Sequence, residues 1–297
     1  MTNNIIELRK LTKTYGKSRG VTDINLQVTG GNVFGFLGPN GAGKSTTINM
    51  LLDFIRPTSG QIKLFDKDIK NNAVDTRRRI GFLAGDMALD NSLTGWQQLE
   101  YLGNLRGSFD RKYVSELAKR LDCRLERKFK ALSRGNKQKV GLIAALMHKP
   151  ELLILDEPTS GLDPLIQSEF NKLLIEHKNS GGTAFISSHV LSEVQEICDT
   201  VAFIREGQIK AIRSMAEITN ESPKDFMLTT NSKDLKRRLS KLSGVTFTSE
   251  DGNSIQGIFS GDVNELIRLI SGYSIENFTL SDTELEAVFM KYYEGDK

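Results

Sequence analysis

Cysteine is scarce: the chain has Cys123 and Cys198, without C-x-x-C spacing, and three histidines accompany them. That argues against a disulfide framework or a zinc site and favours buried, reduced thiols. Long hydrophobic runs are lacking as well. No window approaches the roughly eighteen uninterrupted apolar residues of a spanning helix, and Met1-Thr2-Asn3-Asn4 opens no secretory leader. The expectation is a cytoplasmic protein whose membrane role, if any, comes through a partner. What is present is an ordinary folded composition of 297 residues, 38% hydrophobic and 26% charged, enough for two domains with real cores.

Acidic residues are rare in one region and abundant in another, behind a net charge of +3. Between Arg111 and Lys139 eleven Lys/Arg stand against three acids, whereas Met215 to Lys297 carries nine bases and fourteen acids. No aromatic platform is interleaved with the basic stretch, so a solvated helical face is favoured over a nucleic-acid surface, and no nucleic-acid partner is expected. The change of sign suggests a boundary near Ser214.

The most informative stretch is Gly38-Pro39-Asn40-Gly41-Ala42-Gly43-Lys44-Ser45-Thr46, which fills every fixed position of G-x-x-x-x-G-K-[ST]. Only glycines let backbone N–H groups wrap a polyphosphate so closely, at the positive end of a following helix. The apolar run Val33 to Leu37 supplies the strand before the loop. Ile48, Leu51, Leu52 and Ile55 supply the helical face after it, before Pro57. Lys44 is placed to neutralise the β- and γ-phosphates and the Ser45 hydroxyl to ligate Mg²⁺. Alone, the loop says nucleoside triphosphate and does not choose among kinases, GTPases and ATPases.

Around it the pattern predicts an antiparallel pair over residues 5–28 joined at Tyr15-Gly16-Lys17-Ser18, short strands at Gln61 to Phe65 and Ile80 to Leu83, and a mainly helical lobe over about 86–135. Leu132-Ser133-Arg134-Gly135-Asn136-Lys137-Gln138 introduces a helix that ends near Lys149. The apolar run Leu152 to Leu155 delivers Asp156-Glu157 at its carboxyl end, where open α/β sheets place ligands, and Thr183 to Ser187 delivers His189. Taken singly, Asp156-Glu157 fits a helix cap, His189 a structural histidine and Tyr15 a packing residue. After Ser214 the order β-α-β-β-α-β-α suggests a small ferredoxin-like sandwich with an added helix at Ser281 to Tyr292, and a capping box is predicted at Asp262 and Glu265.

Tyr15, the phosphate loop, Leu132-Ser133-Arg134-Gly135, Leu155-Asp156-Glu157-Pro158, and Ser160-Gly161-Leu162-Asp163 followed by Ser188-His189 occur in that order. Together they resemble the nucleotide-binding subunit of ABC transporters over about residues 5–213. The acidic tail is similar to the C-terminal extension of one group of bacterial ABC export ATPases.

The resemblance implies an α/β fold: a P-loop NTPase core with an antiparallel β subdomain and a helical lobe in residues 1–213, then an α+β accessory domain in 214–297. It implies ATP with Mg²⁺, Asp156 and Ser45 on the metal, Glu157 as base with Lys44, and His189 on the γ-phosphate. It further implies Tyr15 stacked on adenine, and Ser133 and Gly135 covering the ATP of a second copy, or of a related subunit, in a head-to-tail dimer. The partner implied is a separately encoded membrane permease, with export as the direction and the cytoplasmic membrane face as the location. Two departures stand out. Arg134 replaces a signature glycine, and Gly85 stands where a glutamine is usual, with adjacent Asp86 as its candidate substitute. The competing readings are a soluble ABC-type ATPase acting on nucleic acid or ribosomes, and a weakly hydrolysing nucleotide sensor.

Overall fold

The computed structural model describes residues 3–16, 18–85, 87–221 and 223–282. It divides at Ser214 into two compact units. In the first, the elements in order are β1 (Asn4–Tyr15), β2 (Ser18–Thr29), β3 (Val33–Leu37), α1 (Lys44–Leu51), β4 (Ser59–Leu64), β5 (Lys67–Asp68), α2 (Ile69–Arg78) and β6 (Ile80–Leu83). There follow α3 (Gly95–Leu105), α4 (Arg111–Arg120), α5 (Arg134–Leu146), β7 (Leu152–Asp156), α6 (Pro164–Asn179), β8 (Thr183–Ser188), α7 (Leu191–Ile197), β9 (Thr200–Arg205) and β10 (Gln208–Ser214).

Two sheets form this unit. The six-stranded sheet runs β10-β9-β3-β8-β7-β6, with every pair parallel except β10 with β9. Every residue of β3, β7 and β8 is buried, as continuous apolar runs require when both faces of a parallel sheet are covered. The second sheet, β2-β1-β4-β5, is antiparallel. Its Ile6 and Leu8, and Leu11 beyond a shift of register, join the same core as Phe34, Phe36 and Phe185. Phe34 and Phe185, on adjacent strands, stack at 5.8 Å, the offset geometry aromatic pairs favour. The closing hairpin turns at Glu206 and Gly207, both with positive φ (53° and 76°), the backbone a two-residue hairpin turn demands.

The helical stretch is interrupted where its sequence is weakest. The helix α3 opens with a capping box between Thr94 and Gln97; Gly107 (φ 87°) breaks the chain after it, and Asp110 caps α4. A single 3₁₀ turn, Phe129–Ala131, precedes α5. Helices α2, α6 and α7 were not anticipated: Ile69–Arg78 carries few apolar residues, and Leu191–Ile197 is too short for a clear period. Burial pushes the Cys123 thiol up to about 12 and the Cys198 thiol further, so both behave as packing residues.

The second unit begins with α8 (Met215–Glu221) and continues β11 (Lys224–Thr229), α9 (Lys233–Leu239), β12 (Val245–Asp251), β13 (Ser254–Phe259), α10 (Val263–Ile270) and β14 (Asn277–Asp282). Its sheet has the order β12-β13-β11-β14, all antiparallel. Phe226, Leu228, Ile255 and Phe259 pack against Leu235, Leu239, Leu266 and Ile270 of the two helices as a separate core. Asp262 caps α10 by accepting from the Asn264 N–H at 2.9 Å, not in the reciprocal arrangement with Glu265 that the spacing predicts. Ser281 lies in β14 and not at a helix start; the rest of the expected last helix, Glu284 to Tyr292, lies outside the described residues.

Candidate nucleotide site

Strand β3 ends at Leu37 and hands the chain to the phosphate loop, whose last glycine caps α1. Gly38 is required by crowding, since a Cβ there would lie 2.2 Å from the carbonyl oxygen of Ile204. Gly43 is required twice over, by φ 109° and by a Cβ position 2.5 Å from Val21. Pro39 accepts from the Ala42 N–H at 3.1 Å to close the turn. Lys44 is buried at 6% exposure; its Nζ donates to the Gly38 carbonyl at 2.7 Å and the Pro39 carbonyl at 3.3 Å, and lies 3.3 Å from Oε1 of Glu157.

The carboxylates arrive from β7. Asp156 is buried; its Oδ1 accepts from the Ser187 hydroxyl and its Oδ2 from the Ser45 hydroxyl at 2.9 Å. Glu157 follows in the left-handed region at φ 51°, a conformation that costs a non-glycine residue about 1 kcal/mol or more and is held by its surroundings. Those surroundings are explicit: the Glu157 N–H donates to the Ser187 carbonyl at 3.1 Å, and its own carbonyl accepts from the Gln138 side chain at 3.1 Å. The turn aims Oε2 at Nδ1 of His189, 2.6 Å away.

Lys44, Ser45, Asp156, Glu157 and His189 thus line one cavity of about 570 Å³, together with Asn40, Gly41, Gly43, Thr46 and Gly85. Gly85 stands beside Asp156: a Cβ on it would be 3.4 Å from Oδ2. Asp86 lies outside the described residues. Another cavity, of about 390 Å³, lies at the opposite ends of β7 and β8 beside Tyr113, Lys149 and His177, and has none of these site side chains on its wall.

Tyr15, Ser133 and Gly135 do not line the site cavity. Tyr15 is 44% exposed, with Nζ of Lys13 5.4 Å from its ring centroid. Ser133 caps α5 by accepting from the Asn136 N–H at 3.3 Å, and opens on a separate basic pocket of about 280 Å³ with Arg124, Arg127 and Lys139. Gly135 packs so tightly on the Gly161 carbonyl that a Cβ would come within 2.5 Å of its oxygen. Three contributors went unread in the sequence: Ser187 as the second hydroxyl on Asp156, Gln138 as the brace on Glu157, and Arg134 as part of the cavity wall. Of the three only Arg134 carried a signal, as a departure from the signature pattern; the register of Ser187 in β8 with Asp156 in β7 shows only in the fold.

A family model described as ABC transporter matches residues 21–160. Over 98% of its length the chain is 36% identical to the bacitracin transport ATP-binding protein BcrA of Enterococcus faecalis, covering 97% of that protein. It is 35% identical over 99% of its length to BcrA of Bacillus licheniformis, covering 98% of it. Among solved structures, it matches cbiO1 from Clostridium perfringens, part of the ABC transporter complex cbiONQ, at TM-score 0.62 and 30% identity, covering 73% of this chain and 90% of that one. An ATP binding subunit of an ABC transporter matches at TM-score 0.66 and 27% identity, with 72% and 91% covered. With full-length relatives above 30% identity and a loop, carboxylate pair and histidine gathered on one sheet rim, the chain belongs to the ATP-hydrolysing, ATP-binding proteins of ABC transporters.

Proposed function

We propose that this chain powers a separately encoded membrane permease, moving its cargo outward, by closing and opening a head-to-tail dimer around ATP. The observation that carries the reading is the convergence of Lys44, Ser45, Asp156, Glu157 and His189 on one cavity at the carboxyl ends of β3, β7 and β8. Among the described residues no helix is long and apolar enough to cross a membrane; the ABC transporter relatives support a separate permease, with this chain held through it at the cytoplasmic face. The two BcrA relatives are named for bacitracin transport, and a compound of that kind is the cargo they support.

Within the cavity Lys44 holds the β- and γ-phosphates, exchanging its present carbonyl and Glu157 contacts for phosphate oxygens. The Ser45–Asp156 pair fits Mg²⁺: a hydroxyl and a carboxylate 2.9 Å apart are the hard oxygen donors that ion takes. Ser45 and Asp156 are the residues of this chain that would hold the ion. When bound, the ion neutralises charge on the transferring phosphoryl group. Glu157 orients and deprotonates the attacking water, and His189, hydrogen-bonded to Glu157, reaches the γ-phosphate. Tyr15 stacks on adenine, while Ser133 and Gly135, which do not line this cavity, serve the nucleotide of the second subunit. Residues 1–213 form the ATP-binding domain. Residues 214–297 form an accessory domain, and the β11-α9-β12-β13-α10-β14 order with its β12-β13-β11-β14 sheet supports a ferredoxin-like fold for it.

The test is affinity purification of Glu157→Gln protein from membranes in the presence of ATP. Recovery of a multispanning protein is expected; recovery of ribosomes or nucleic acid instead would overturn the transport reading. Steady-state phosphate release by the parent separates an ATPase from a nucleotide sensor.

A further inference from the structure

The first turn of α5 is strapped to the loop that follows Glu157. Three of its residues make the strap: Arg134, Gly135 and Gln138, at i, i+1 and i+4 along the helix. Nη2 of Arg134 donates to the Ser160 hydroxyl at 2.9 Å, and the Arg134 stem passes over Gly161, with Cγ 3.6 Å from where a Cβ would stand. Gly135 admits the Gly161 carbonyl at a distance no side chain tolerates. Gln138 donates to the carbonyls of both Glu157 and Pro158, at 3.1 and 3.0 Å. Each residue from Glu157 to Gly161 except Thr159 is therefore touched by one helical turn. Glu157 needs such support, because its φ of 51° is a conformation the loop must impose on it.

We propose that Arg134 is a positioning residue for ATP hydrolysis: through Ser160 it holds the loop that fixes Glu157, and so ties the α5 N-terminus to the state of the chain's own nucleotide cavity. Both Arg134 and Ser160 line that cavity, so the clasp lies where a bound triphosphate can sense it. Its guanidinium is suited to the task, presenting a rigid planar fork that a glycine at this position lacks. The contact is exposed and ends on a neutral hydroxyl, so it adds little to folding stability. Its effect falls on the precision of the loop. The proposal rests on ATP hydrolysis by this chain, which the parent protein's own turnover checks separately.

The experiment is a double-mutant cycle in the full-length protein with Arg134→Ala, Ser160→Ala and both, reading kcat and KM for ATP together with the melting temperature. Each single variant is expected to lose about tenfold in kcat, with KM within about twofold and Tm within about 2 °C of the parent. The double variant should fall no further than the worse single one, and Arg134→Lys should recover part of the loss. Additive losses, an unchanged or raised kcat, or an effect confined to KM would overturn the proposal.

Discussion

Glu157 and His189 meet at 2.6 Å because two parallel strands fix their phase. Asp156 of β7 is in register with Ser187 of β8, and both strands are buried. The residue after the first and the second residue after the other then emerge side by side at the same rim, joined by the Ser187 carbonyl accepting from the Glu157 N–H. The carboxylate is left with Oε2 on the histidine and Oε1 on Lys44, 3.3 Å away.

Replacing Glu157 with Gln keeps the shape of this arrangement and removes the carboxylate proposed as the base. ATP turnover is expected to fall by about 100-fold or more, with nucleotide binding retained and an ATP-bound dimer accumulating. Phosphate release and size-exclusion chromatography with ATP measure the two effects. Parent-like turnover would remove Glu157 from its role.

Asp156→Ala strands the buried Ser187 hydroxyl beside a vacated acceptor and leaves that of the exposed Ser45 to water. A stability loss of about 1–3 kcal/mol is expected in urea unfolding. Calorimetric titration of ATP with and without Mg²⁺ should show that the metal no longer strengthens binding.

The loop glycines separate crowding from backbone conformation. Gly38→Ala drives a methyl into the Ile204 carbonyl and should cost about 1–3 kcal/mol of stability as well as nucleotide affinity. Gly41→Ala meets no neighbour within 4 Å and pays only for its φ of 79°, roughly 1 kcal/mol. Equal losses at the two positions would contradict the packing read at Gly38.

Acid should weaken the fold through His148. Burial, reinforced by the nearby charge of Arg106, lowers its pKa from 6.5 to about 4; its Nε2 donates to the Ile80 carbonyl at 3.1 Å. The unfolded chain takes up this proton first. The stability that His148 contributes is therefore intact above pH 6.5 and is lost as the pH falls towards about 4, at no more than about 1.4 kcal/mol per pH unit. His177, also lowered by burial, acts in the same direction. His148→Asn should flatten the slope of urea-unfolding free energy in this window without abolishing it.

Every side chain on the nucleotide cavity wall precedes Ser214. A protein ending there should bind ATP with the affinity of the full chain, measured by the same titration, and a tenfold loss would show that the second unit acts on the site.

The site was legible where chemistry dictates spacing. The phosphate loop, the run ending at Asp156-Glu157 and the strand before His189 could be read because a buried parallel strand is a continuous apolar run and the loop tolerates few residue types. The first antiparallel pair and β6 were legible by alternation and by turn residues. What stayed hidden depends on tertiary contact. Helix α2 owes its place to Ile69 and Thr76 packing inward from an otherwise polar stretch, and nothing local announces that Gln138 braces a carbonyl nineteen residues ahead. Arg134 was visible as a departure from a pattern and Ser160 as part of another; the contact between them was not.

The Ser45–Asp156 hydrogen bond joins residues 111 positions apart, and closing so wide a span is entropically slow compared with forming any local helix. No fragment that lacks either end of this span holds a miniature of the site. Nucleotide that binds here therefore stabilises the whole first unit by mass action, and not one motif, which makes ATP protection against thermal unfolding a gauge of how completely the chain has folded.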